Sequence, residues 1–216
     1  MGALLFFPLV VMRRSVGIEG ASPLLIETAI DSLRPLLQGF AFSAVLIAVN
    51  GISSTDRKQG YYRFAFAKPV SITRFYAQSF AVNWAGLVLA TTVVMTAFQI
   101  FVYPVPIGGA LGFVALYYLA LGGIGFLLSA ITRFDWVIAS GIWGVTLMLG
   151  LLFSPDSAFG RVIGVALPPA QRMMDLAEPM LRGHPVPLTS LLWVSGYGAL
   201  CFLIGLFVLR QRQLAA

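Results

Sequence analysis

FYAQSFAVNWAGLVLATTVVMTAFQIFVYPVPIGGALGFVALYYLALGGIGFLLSAIT, residues 75–132, runs for 58 positions without an Asp, Glu, Lys or Arg. A helix rises about 1.5 Å per residue and the hydrocarbon core of a bilayer is roughly 30 Å thick, so one crossing takes about 20 apolar residues. The stretch therefore holds two crossings and a turn. The chain around it has the same character: of its 216 residues, 59% are hydrophobic and 10% charged, with a mean hydropathy of +0.90. A soluble domain carries about 25% charged residues to keep its surface in water. That class is excluded.

Apolar runs bounded by charge, Pro or Gly place five crossings at 36–54, 80–103, 108–132, 136–153 and 191–209. A sixth, at 3–12, stops at Arg13 and Arg14. Ten residues reach only about 15 Å, so it spans by snorkelling or by thinning the bilayer. The expected fold is an all-α polytopic membrane protein, one transmembrane domain over 1–216 with six transmembrane helices, the first one short. No cleavable signal peptide is expected, because residues 1–12 lack a charged n-region and a small-residue cleavage site.

Net charge is +6. In a membrane protein this excess reports orientation before it reports nucleic acid, since basic residues gather on the cytoplasmic side. Arg57, Lys58, Arg63, Lys68 and Arg74 cluster in the loop at 55–75. Placing that loop in the cytoplasm also puts Arg133, Arg210 and Arg212 inside, eight basic residues against six outside. Arg13 and Arg14 fall on the wrong side.

Between the spans, 22–34 sets Leu25, Ile26, Ala29, Ile30 and Leu33 at helical spacing opposite Glu27, Asp31 and Arg34, an amphipathic helix for an interface or the bundle surface. The loop at 154–190 holds six prolines and two apolar stretches, 159–167 and 173–181, too short to cross. These read as re-entrant or interfacial helices on the outer face. Glycines within the spans, such as Gly108, Gly123, Gly141, Gly144, Gly196, Gly198 and Gly205, mark close helix approaches inside one subunit or between two. Asn50, Asn83, Thr91, Thr92, Thr96, Gln99 and Ser129 are available for hydrogen bonds between helices.

Several chemistries are excluded. The one histidine, His184, lies in a Pro-rich loop, so the H-E-x-x-H helix of an intramembrane metalloprotease is missing. Ser140 has no base near it in sequence and reads as a small helix-packing residue. Cys201, the one cysteine, sits among Leu, Phe and Gly as a packing residue. Met173, Met174 and Met180 read as apolar filler rather than a soft-metal site. The proposed spans contain no charge, which argues against an ion-coupled pump. There is no G-x-x-x-x-G-K-[ST] phosphate loop, so ATP-driven transport needs another subunit to bind ATP.

The loop from Asp56 to Arg74, DRKQGYYRFAFAKPVSITR, resembles the loop after the second span of ABC-2 type permeases, the membrane subunits of ATP-binding-cassette exporters. In that family an acidic residue is followed by a Gly, an apolar helical segment, a Pro-Val-Ser-like break and a basic residue. Asp56, Gly60, Pro69-Val70-Ser71 and Arg74 stand in that order; Gln78 and Ser79 stand where the family has a Gly-Lys pair. The resemblance covers the layout of nearly the whole chain, and about twenty positions residue by residue. It implies six spans with both ends cytoplasmic, in a bacterial inner membrane, and a cytoplasmic coupling helix in the loop. It also implies docking of a separate ATPase through Asp56, Gly60, Tyr61, Tyr62, Phe64, Phe66, Lys68, Pro69 and Arg74. A second permease subunit, identical or related, would complete the pathway, with ATP and Mg held by the ATPase and no cofactor or metal on this chain. Phe159, Val162, Leu167, Pro168 and Pro169 would then form an outer gate. The family also tends to have an amphipathic helix ahead of the first span; the sequence begins directly at the apolar segment, so that helix is expected to be missing or the N-terminus abbreviated.

The physics of the loop fits that role. Aromatic anchors are over-represented where protein surfaces dock, and Pro69 ends a helical segment because it lacks an N–H. By composition alone the same loop reads as a basic juxtamembrane anchor for anionic lipid. The alternative function is therefore a membrane scaffold or assembly subunit that binds a partner or lipid through this loop, and a third is a membrane enzyme working through His184. The charge-free spans suit lipid-like or amphipathic cargo.

Overall fold

The computed structural model describes residues 23–49, 71–101, 105–132, 135–153, 157, 160–162, 164 and 167–214. Every regular element among them is helical. The elements are α1 (Pro23–Val49), α2 (Ile72–Phe101), α3 (Ile107–Ile131), α4 (Asp135–Leu152), α5 (Ala170–Arg182) and α6 (Leu188–Leu214). Four of them, α1, α2, α3 and α6, are long and apolar enough to cross a membrane. The apolar part of α4, Val137–Leu152, is shorter, and at about 1.5 Å per residue it measures roughly 24 Å. The segment expected at 3–12 lies outside the described residues, as does the loop from Asn50 to Val70.

α1 joins what the sequence suggested were two elements, the amphipathic helix at 22–34 and the crossing at 36–54. Pro35 sits inside it on the exposed side and removes one backbone hydrogen bond. The helix continues because one buried row, Ile30, Leu33, Leu37, Ala41, Val45 and Val49, runs through Pro35 without a break. Packing of that row outweighs a local cost of about 3 kcal/mol. α2 likewise begins earlier than the expected 80. Ser71 precedes it, and the Arg74 N–H donates to Ser71 Oγ at 3.5 Å, so Arg74 is carried on the exposed first turn.

α3 is the axis of the bundle. In its most apolar stretch 67% of residues are buried, against 22% in α2 and α6, so most of those two helices lies outside the core of the described bundle. Phe113, Tyr117, Tyr118 and Phe126 on α3 are fully enclosed. Between Ile107–Tyr117 and Gly123–Ile131 the helix opens into a π turn, Tyr118–Gly122, where Tyr118 Oη donates to the Phe80 carbonyl of α2 at 3.0 Å. α6 crosses α3 immediately below: a Cβ on Gly123 would strike the carbonyl of Gly198, and a Cβ on Gly198 the carbonyl of Leu119. Phe80, Phe126 and Phe202 stack around the crossing with ring centroids 4.3 to 6.1 Å apart.

Gly109, Gly112, Gly122, Gly123, Gly125, Gly198 and Gly205 meet neighbouring helices within the one chain, whereas Gly108, Gly141, Gly144 and Gly196 have open space where a Cβ would stand. Thr91, Thr92 and Ser129 each bond a carbonyl of their own helix, since a short hydroxyl reaches the preceding turn first. Gln99 Nε2–H reaches past the end of its helix to Val105 O, and Asn83 crosses between helices, donating Nδ2–H to Ala48 O at 3.2 Å and tying α2 to α1. Cys201 is buried and free, as its apolar neighbours suggested.

Candidate functional site

Charged residues in the described bundle gather at its two ends. At one end α1 finishes at Val49, where Asn83 of α2 holds the Ala48 carbonyl, and α2 starts eleven residues before Asn83 at Ile72. Of the proposed ATPase-docking residues only Arg74 is described, and it is exposed. Asp56, Gly60, Tyr61, Tyr62, Phe64, Phe66, Lys68 and Pro69 lie outside the described residues.

At the other end α5 lies on the bundle. The short apolar segment expected at 173–181 is a helix of 13 residues, closed by Gly183 in the left-handed conformation (φ 70°). Its apolar face, Ala170, Met173, Leu176, Ala177 and Leu181, is buried. Its carbonyl at Met180 lies so close to Gly109 that no side chain would fit there. Ion pairs then fix its direction: Arg34 Nη1 to Glu178 Oε2 at 3.4 Å, Arg182 Nη2 to Asp31 Oδ1 at 3.4 Å, and Arg182 Nε to Glu178 Oε1 at 3.1 Å. Arg34 Nη2 also donates to the Met174 carbonyl at 3.4 Å. These groups are partly exposed, so each pair contributes at most about 1 kcal/mol, and burial of the apolar face dominates the docking. Arg34 and Val49 are 15 residues apart, which sets α5 roughly 22 Å along α1 from the end that leads into the basic loop.

A cavity of about 480 Å³ opens between α5, the C-terminal end of α4 and Gly160, Arg161 and Gly164. Arg161, Arg172, Asp175 and Gln171 border it with Thr146 and Phe153. Gly150 makes room for Gln171, whose side-chain oxygen occupies the place of a Cβ. The Arg172 guanidinium carbon stands 5.1 Å from the ring centroid of Trp193 on α6. Burial pushes the Asp175 carboxyl above its ordinary pKa, and the Arg34 guanidinium opposes that rise. A second hollow, about 510 Å³ and apolar, lies between α2, α3 and α6, walled by Phe80, Trp84, Leu116, Leu119 and Leu191 and bounded by Met180 of α5.

Of the proposed outer-gate residues, Pro168 and Pro169 are buried and line the charged cavity. Leu167 is half-buried, Val162 is 62% exposed, and Phe159 lies outside the described residues. Sequence reasoning did not single out Thr146, Gln171, Asp175 or Trp193 as a group. The available signal was the amphipathic period of 170–182; contact with α4 and α6 has no sequence signature. Ser140 Oγ donates to Val137 O of its own helix at 2.9 Å, and His184 is exposed beyond the C-terminus of α5. Comparison with known proteins finds no matching family model, curated protein or solved structure.

Proposed function

We propose that the chain is the membrane permease subunit of an ATP-driven exporter of the ABC-2 type. One observation carries this reading. The loop that bears Asp56, Gly60, Pro69-Val70-Ser71 and Arg74 joins two helices packed side by side, and does so at the end of the bundle remote from α5. A partner pushing on that loop would act on α1 and α2 together. α1 carries the displacement to α5 through Arg34 and Asp31.

In this reading the basic loop is cytoplasmic, α5 is outside, and residues 3–12, α1, α2, α3, α4 and α6 are the six crossings of a bacterial inner membrane. α4 crosses where the bilayer thins locally. The ATPase subunit holds ATP and Mg, and a second permease subunit, identical or related, completes the pathway. Nucleotide-driven closure of the ATPase pair biases the spans between inward-open and outward-open states.

The test is affinity purification of the tagged protein in mild detergent, wild type beside a Gly60→Trp, Phe64→Asp double variant. The expected result is an ATPase that co-purifies with wild type and is lost from a variant that still inserts normally. Failure of any ATPase to appear, under conditions that preserve other membrane complexes, moves the scaffold reading ahead.

A further inference from the structure

We propose that the charged cavity between α4 and α5 is a binding site for the headgroup of a zwitterionic glycerophospholipid, phosphate on the arginines and ammonium on Asp175. Three observations carry it. Arg161 and Arg172 border the cavity with one carboxylate, Asp175, and Gln171 adds an amide seated against Gly150. Guanidinium groups recognise phosphate through paired N–H donors, and a carboxylate recognises an ammonium, so the pattern of two cations and one anion complements a phosphate–ammonium pair. The volume of about 480 Å³ holds on the order of ten or more non-hydrogen atoms, enough for such a headgroup with its glycerol.

Depth is the second observation. Trp193 is 36% exposed, one and a half turns into α6, with Arg172 over its ring. Tryptophans at that position mark the headgroup level of a bilayer, where the ring sits in the interface and a cation above it meets phosphate. The third is the apolar ground beside the cavity. Leu149 of α4 and Phe153 just beyond it are part of its wall, and Phe153 is 37% exposed at the end of the helix. An acyl chain descending from the cavity has a surface to lie on. A water-soluble phosphate would make no use of it. Gln171, Arg172 and Asp175 share α5 with Glu178, which is ion-paired to α1, so occupancy of the cavity would add a contact that holds α5 in place. This site rests on the bundle alone and stands whether or not an ATPase docks at the other end.

The experiment titrates the purified full-length chain in detergent with short-chain phosphatidylethanolamine and, separately, phosphatidylglycerol and inorganic phosphate, and counts bound lipid by native mass spectrometry. Wild type is expected to retain phosphatidylethanolamine saturably and in preference to phosphatidylglycerol. Arg172→Gln is expected to weaken it about tenfold, the effect of one lost hydrogen bond to a charged group. Asp175→Asn is expected to weaken phosphatidylethanolamine while leaving phosphatidylglycerol as tight or tighter, a reversal that misfolding would not produce. Equal affinity of wild type for both lipids overturns the proposal. So does displacement by inorganic phosphate at comparable concentration, equal loss of both lipids in Asp175→Asn, or unchanged binding in both variants.

Discussion

At the residue scale, the two kinds of glycine in this chain separate cleanly. Gly198 faces the carbonyl of Leu119, and neither helix backbone can yield, so Gly198→Val forces α6 away from α3. The expected cost is about 1–3 kcal/mol, read as a lower unfolding midpoint in detergent. Gly141 has open space around it, and Gly141→Ala is expected to be neutral or to stabilise by up to about 1 kcal/mol, since Ala is the better helix former. Asp175 behaves differently because its cost depends on pH. Its folded-state pKa lies above the ordinary 3.8, so the folded chain holds the proton more tightly than the unfolded one. The penalty is absent below 3.8 and grows as pH rises through the raised value, so stability from this group falls with pH. Asp175→Asn is therefore expected to be more stable than wild type at pH 7, with the gap closing toward pH 4 in paired thermal melts.

At the element scale, the π turn in α3 has a specific signature. A π turn closes i→i+5 and so contains one residue more than an α turn. Removing one residue from an α-helix rotates everything beyond it by about 100°. Removing Leu119 from the π turn instead allows an α turn to form and keeps 107–117 and 123–131 in phase. The deletion variant lacking Leu119 is expected to express and elute as a single species, whereas deletion of Leu111 in the preceding α segment is expected to abolish folding. Size-exclusion profiles of the two compare them directly. None of this was legible beforehand, because the surrounding run YYLALGGIGFLL is apolar on every face and displays no phase. The centres of the long helices were legible from apolar length. Their ends were not: charge served as the boundary marker, yet Asp31 and Arg34 are carried inside α1 by ion pairs to α5, and Arg74 rides on the first turn of α2. Pro35 misled in the same way, since its cost is local and the buried row that overrides it is tertiary. The polar face of α5 could be read from its period, but Trp193, 21 residues beyond Arg172, comes beneath it only through the packing of α5 on α6.

At the scale of the whole molecule, the two charged ends predict a sidedness that can be measured with one background change. Cys201 is the chain's one cysteine, so Cys201→Ser leaves a blank onto which Arg74→Cys or Glu178→Cys is placed. An impermeant maleimide added to intact cells is expected to label Glu178→Cys and to reach Arg74→Cys only after the membrane is opened. Labelling of both from one side would refute the opposed arrangement. The position of α3 carries a further consequence. Phe113, Tyr117, Tyr118 and Phe126 fill the axis of the described bundle, and α1, α2 and α6 close around them with apolar side chains exposed on their outer faces. Among the described residues a single copy is thus packed along its centre, a solid rod in a sleeve. Reconstituted alone as a monomer it is expected to conduct nothing, and in the permease reading proposed above cargo would travel along a seam, over its flank or between its flank and a neighbour's.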